Sequence, residues 1–142
     1  MSVQETREFF ERYRDAFNRL DGEGVADLWH TPCAITDTRD GAARVTWWPE
    51  DAPMRANMKA LCEVYRTAGD EACWDFELLD HVPMGEHHAF ANVRWTLAGA
   101  EGRSLQRFNT GYQLARHTHG PRVLMCTAYQ EDLSSWKKHA VE

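Results

Sequence analysis

Residues 12–37, RYRDAFNRLDGEGVADLWHTPCAITD, decide the fold, because they read as a helix, a glycine-punctuated reversal, a short helix and the opening of a strand. The helix begins upstream. Phe10, Tyr13, Phe17 and Leu20 recur at steps of three and four, Phe9 and Ala16 widen the stripe, and Glu8, Glu11, Arg12, Arg14 and Asp15 fall elsewhere. One face is therefore apolar and is expected to be buried. Gly22 and Gly24 accept the left-handed backbone that ends a helix, so they read as the reversal. A second helix is predicted from Val25 to His30. Thr31 and Pro32 then interrupt the helical pattern, and Cys33, Ile35 and Asp37 alternate with Ala34, Thr36 and Thr38 in a predicted strand.

Moving outward, Asp40-Gly41 is a hairpin signal with Ala43 to Trp47 as the returning strand. Trp48-Pro49 and Ala52-Pro53 bracket a loop, and Met54, Met58, Leu61, Cys62 and Tyr65 form the stripe of a third helix that ends at Gly69. The period then falls from about 3.6 to 2. Strands are predicted over Trp74 to Val82, His88 to Leu97, Ser104 to Arg116 and Arg122 to Glu131. Turns at Pro83 to Glu86, Ala98 to Gly102 and His117 to Gly120 join them, and Asp132 to His139 reads as a terminal helix or tail.

The 142 residues suit one domain, 1–142, able to bury roughly two thirds of its unfolded surface. Sixteen basic against twenty-two acidic side chains leave a net charge of −6, which argues against nucleic acid or an anionic membrane as partner. The opening MSVQETREFFERYR has no basic region followed by an apolar one, and no window reaches the ~18 apolar residues of a membrane span. A soluble, cytoplasmic protein is expected. Cys33, Cys62, Cys73 and Cys126 are scattered in apolar neighbourhoods and read as buried free thiols. The histidine pairs His87-His88 and His117-x-His119 lie at predicted turns without a carboxylate or cysteine at ligand spacing, so no metal site is expected. No dinucleotide, nucleotide, serine-hydrolase or zinc-protease motif occurs, and no cofactor is expected. Six tryptophans imply an aromatic core, or rings lining a pocket or an interface.

Helix, helix, two strands, helix and four long strands make an α+β arrangement, with three helices packed on one face of a strongly curved antiparallel sheet. Arg12-Tyr13 with Ala16, Asn18, Asp21, Leu28 and Asp37 resembles, without a gap, the opening of the ketosteroid isomerases. In element order the chain is similar to the SnoaL-like or ketosteroid-isomerase-like superfamily, the cone fold of the nuclear transport factor that carries Ran. That resemblance implies an apolar pocket enclosed by sheet and helices, and a homodimer formed through the outer sheet face.

It also implies roles for particular residues. Asp37 matches the isomerases' general base, which an apolar pocket would suit by raising its pKa; alternatively it is the polar end of a strand. Tyr13 matches their oxyanion donor, or is plain core. The acid that completes the isomerase oxyanion hole has no counterpart in Phe108-Asn109-Thr110-Gly111-Tyr112, where Asn109 and Thr110 offer only an amide and a hydroxyl. Steroid isomerisation is therefore not expected. Trp29 and Trp47 are candidates for the pocket mouth, and Arg94 or Arg107, if inward, for a ligand oxygen. Two functions stand against each other. One is a cofactor-independent isomerase, cyclase, dehydratase or hydrolase of a small apolar carbonyl compound, with Asp37 as base. The other is a non-catalytic ligand-binding or dimeric interaction module. In either, Tyr13, Trp29, Asp37 and Asn109 are expected to converge on one cavity.

Overall fold

The computed structural model describes residues 1–68, 73–99 and 104–132, and the side chains of 1–66, 73–99 and 106–129. Helix α1 spans Val3–Asn18, with Ser2 Oγ accepting the Glu5 N–H at 3.1 Å as its N-cap. Its buried residues are Thr6, Phe9, Phe10, Tyr13, Ala16 and Phe17, the face that the apolar spacing selects. At its end the Asn18 amide grips a strand edge: Nδ2 donates to the Trp74 carbonyl at 3.1 Å, and Oδ1 accepts the Trp74 N–H at 2.6 Å. One side chain thus satisfies both backbone groups of an edge residue.

The second helix and the start of the first strand differ from the sequence reading. Leu20, with φ of 54°, takes the left-handed conformation after α1. Asp21 caps α2, Gly22–Ala26, by accepting the Gly24 N–H at 2.9 Å. Gly22 is needed for space rather than for backbone freedom, since a Cβ there would lie 2.6 Å from Lys59 Cα. Because α2 stops at Ala26, Trp29 and His30 open strand β1, Trp29–Arg39, instead of closing a helix.

Asp40 and Gly41, at φ of 53° and 77°, form the two-residue turn into β2, Ala42–Trp48. Helix α3, Asp51–Ala68, starts ahead of its apolar stripe and keeps Pro53 in the first turn, where the missing N–H costs nothing. It is tied to α2 through Arg55, which donates to Glu23 Oε2 and Asp27 Oδ1, both at 2.8 Å, while also holding Asp51 on its own helix. The remaining strands are β3 Cys73–Met84, β4 His88–Ala98, β5 Ser104–His117 and β6 Gly120–Asp132. Gly69, residues 100–102 of the Ala98 to Gly102 turn, and 133–139 of the proposed terminal helix lie outside the described residues.

The sheet order is β2-β1-β6-β5-β4-β3. Every pairing is antiparallel except β1 with β6, which is parallel, so the sheet is mixed; it curls without closing. The helices lie in its concave side, and the core is the apolar seam between them. Among the described residues no helix is long and apolar enough to cross a membrane. Gly22→Ala should lower stability by about 1–3 kcal/mol, because its Cβ meets α3 backbone rather than a yielding side chain. Urea unfolding checks this, and an unchanged midpoint would show that α2 and α3 separate freely.

Candidate functional site

Between α1, α3 and the concave face lies a cavity of about 190 Å³. Alternation along β5 points Gln106, Phe108, Thr110 and Tyr112 into it, and α1 supplies Tyr13 and Phe17. Met58, Leu61 and Tyr65 of α3 form the opposite wall. Cross-strand register stacks the lining in rows: Ile35, Cys126 and Tyr112 are neighbours on β1, β6 and β5, and Trp74 and Gln106 flank Leu97. No charged side chain lines the cavity among the described residues.

Asn57 and Gln106 contribute amides to the lining, and the rest of its polar chemistry is a cluster of indoles and hydroxyls. Trp29 Nε1 donates to the Tyr13 hydroxyl at 3.2 Å, and Trp95 Nε1 donates to the Tyr112 hydroxyl at 2.7 Å. The rings pack closely, with Tyr13 and Trp95 centroids 5.7 Å apart and Phe10 and Tyr112 centroids 4.8 Å apart. The Tyr13 and Tyr112 hydroxyls are neighbours of each other, and the buried Thr110 hydroxyl sits beside Tyr112 without a hydrogen bond of normal geometry among the described residues. Burial pushes both phenols well above the ordinary tyrosine range, so both keep their protons.

Proton counting gives the consequence. Each phenol oxygen accepts an indole N–H, and the neighbouring groups are themselves hydroxyls. If one phenol proton bridges to the next oxygen, another O–H still lacks an oxygen acceptor among the described residues, with only the weakly accepting Cys126 sulfur nearby. The cluster therefore presents a hydrogen-bond donor to the cavity.

Tyr13 and Trp29 meet in the cavity, as the sequence reading expects of them, although Trp29 does so from a strand. The other expected site residues do not line it. Asp37 shares the concave face with Cys33 and Ile35, but its carboxylate accepts the Arg39 Nε at 3.2 Å and its side chain is 36% exposed, beyond the lining. Asn109 alternates with Thr110, so it faces the convex side, where Arg94 Nε approaches its Oδ1 at 3.4 Å. Arg94 lies on that side too, near Glu77. Trp47 is 59% exposed, whereas Trp48, opposite buried Cys33, packs toward the core.

Thr110, whose hydroxyl the sequence reading weighs beside Asn109, does line the cavity, and the polar or indole-bearing residues missed on the sheet were Trp74, Trp95, Gln106 and Tyr112. Strand alternation carries the signal for the β5 members: once Arg107 and Asn109 are assigned outward, Gln106, Phe108 and Thr110 must be inward. The thiols also separate by position. Cys33 and Cys62 are buried, Cys126 lines the cavity with burial pushing its thiol up to about 12, and Cys73 is exposed, contrary to the expectation for it.

Residues 4–131 match the family model described as NTF2-like protein (DUF6841). No curated protein matches the chain. Among solved structures, a domain of unknown function with a cystatin-like fold from Nostoc punctiforme is similar at 14% identity and a TM-score of 0.68, covering 97% of this chain and 83% of that one. An NTF-2 like protein of unknown function from Silicibacter pomeroyi aligns at 17% identity and a TM-score of 0.65, over 91% and 98% of the two chains. A ketosteroid isomerase-like protein from Erwinia carotovora atroseptica aligns at 15% identity and a TM-score of 0.56, over 86% and 90%. At these identities the likeness concerns the fold.

Proposed function

Starting from the premise that the chain belongs to the NTF2-like family, DUF6841, we propose that it is a small-molecule-binding protein whose ligand is a neutral, mostly apolar compound with a carbonyl or ether oxygen. The donor excess of the Tyr13–Tyr112 cluster carries this reading, since a ligand oxygen supplies an acceptor at that end of the cavity. The volume supports a compact ligand. At about 190 Å³ the cavity is near the ~150 Å³ engineered cavity that holds benzene, so it suits one or two rings rather than a fused four-ring steroid. Three tryptophans in the lining, Trp29, Trp74 and Trp95, make binding visible by fluorescence.

Acetophenone should quench that fluorescence saturably, with an affinity unchanged between about pH 6 and 9 because the phenols stay protonated. Tyr112→Phe should weaken binding by about three- to tenfold, and Asp37→Asn should leave it unaltered. Absence of saturable quenching would end the ligand reading. Catalysis by Asp37 is the narrower alternative, favoured by its place on the concave face two residues beyond Ile35. Under it the protein would speed hydrogen–deuterium exchange at the acetophenone methyl, and Asp37→Asn would remove ~10² to 10⁴ of that rate. Such exchange would replace the binding-only reading with an enzyme.

A homodimer through the convex face is the second proposal. Trp47, Ala34, Met125, Gln113, Phe90 and Val82 are successive cross-strand neighbours, a mainly apolar row crossing every strand of the sheet. Trp47, Val82, Phe90 and Met125 are exposed. A second copy offers the same row and covers it by twofold pairing. Light scattering at tens of micromolar should give a dimer that Phe90→Glu converts to a monomer. A wild-type monomer at that concentration would remove the proposal.

A further inference from the structure

The cavity has a second polar region, built differently from the first. Trp74 Nε1 and Gln106 Oε1 are both buried, and neither has a hydrogen-bond partner among the described residues. Both residues line the cavity, at 4% and 8% exposure. They sit in one row of the sheet, on either side of Leu97, about 10 Å apart at Cα by two strand spacings. One is an obligate donor and the other an amide that accepts through Oε1. Leaving such groups unpaired is costly, so their retention in one cavity wall calls for a partner.

The distance between the two polar regions sets the size of that partner. Trp95 spans the gap: its ring centroid is 6.1 Å from that of Trp74, and its Nε1 is 2.7 Å from the Tyr112 hydroxyl. The two regions are thus about one indole apart, and Phe108, edge-on to Trp74 at 5.7 Å, lines the wall between Gln106 and Thr110. Between them the surface is aromatic and apolar. A carboxylate at the Trp74–Gln106 end would meet the Gln106 carbonyl without any cation to offset its charge, which disfavours an anion. A hydroxyl suits either group, since it can accept from the indole N–H or donate to Oε1.

Building on the ligand-binding reading above, we infer that the ligand is a neutral aromatic compound of one or two rings with an acceptor oxygen at the Tyr13–Tyr112 end and a hydroxyl at the Trp74–Gln106 end. The cavity reads both ends of one molecule, and its length selects their separation.

The test compares acetophenone with 4-hydroxyacetophenone, which differ by one hydroxyl, at mildly acidic pH where that hydroxyl is protonated. Titrated into the full chain by tryptophan fluorescence, the hydroxylated probe should bind about tenfold more tightly. The ratio between the two probes should fall to about two or less in Gln106→Leu or in Trp74→Phe. Gln106→Leu should also melt no lower than wild type, since it removes an unpaired buried carbonyl rather than a bonded one. Equal affinities in wild type, or a ratio kept in both variants, would overturn the two-ended ligand while leaving the tyrosine site intact. A Gln106→Leu protein that melts several degrees lower would show the amide is satisfied within the protein, and would overturn it too. Failure of both probes to bind would instead remove the ligand-binding reading on which it rests.

Discussion

The indole-to-phenol bond between Trp29 and Tyr13 is the contact on which the interior depends. It joins the middle of α1 to the first residue of β1, and the matching Trp95 to Tyr112 bond joins β4 to β5. Helix and sheet therefore meet through polar atoms inside an apolar shell, where each bond is strengthened by the low local dielectric and each unmade bond is costly. All four groups can donate, and only the two hydroxyls can accept. A core of this composition is held in place by its own donors and left with a donor to spare. That excess, rather than any charged group, gives the cavity its chemistry.

The cavity stays open because its walls are braced from outside. Asn18 fixes the end of α1 to the edge strand β3, and Arg55 with the close Gly22–Lys59 approach fixes α2 against α3. Inside, Tyr65, Trp74, Phe108 and Trp95 meet edge to face, at interplanar angles of 78°, 86° and 88° about the Trp74 ring. Large rings set at right angles cannot close on one another without losing those contacts, so space remains between them.

Much of the fold was legible because local rules decide it. The Phe10, Tyr13, Phe17 spacing placed the buried face of α1, and Asp40-Gly41 placed the first hairpin, each through geometry confined to a few residues. The α2 boundary was not legible. Gly22 reads as a helix stop, but its lack of a side chain serves a contact with Lys59, thirty-seven positions away, and Leu20 takes the left-handed turn in its place. The parallel pairing of β1 with β6 was hidden for the same reason, as it joins residues some ninety positions apart. For the site, alternation put Asp37 on the concave face, yet depth along a curled strand and the neighbouring Arg39 decide what its carboxylate meets. Asn109 reads as a site residue because it stands near the place of the isomerase acid, whereas Gln106 carries no such signal, and only the alternation of β5, fixed by Tyr112 pairing with Cys126, tells the two apart.

A crystal structure of the protein soaked with acetophenone tests the donor-rich interior most directly. The proton count predicts the ring between Tyr65, Trp74 and Trp95, with the ketone oxygen about 2.6–2.9 Å from the Tyr13 or Tyr112 hydroxyl. A cavity filled by the protein's own side chains, with both hydroxyls donating to backbone carbonyls, would contradict it.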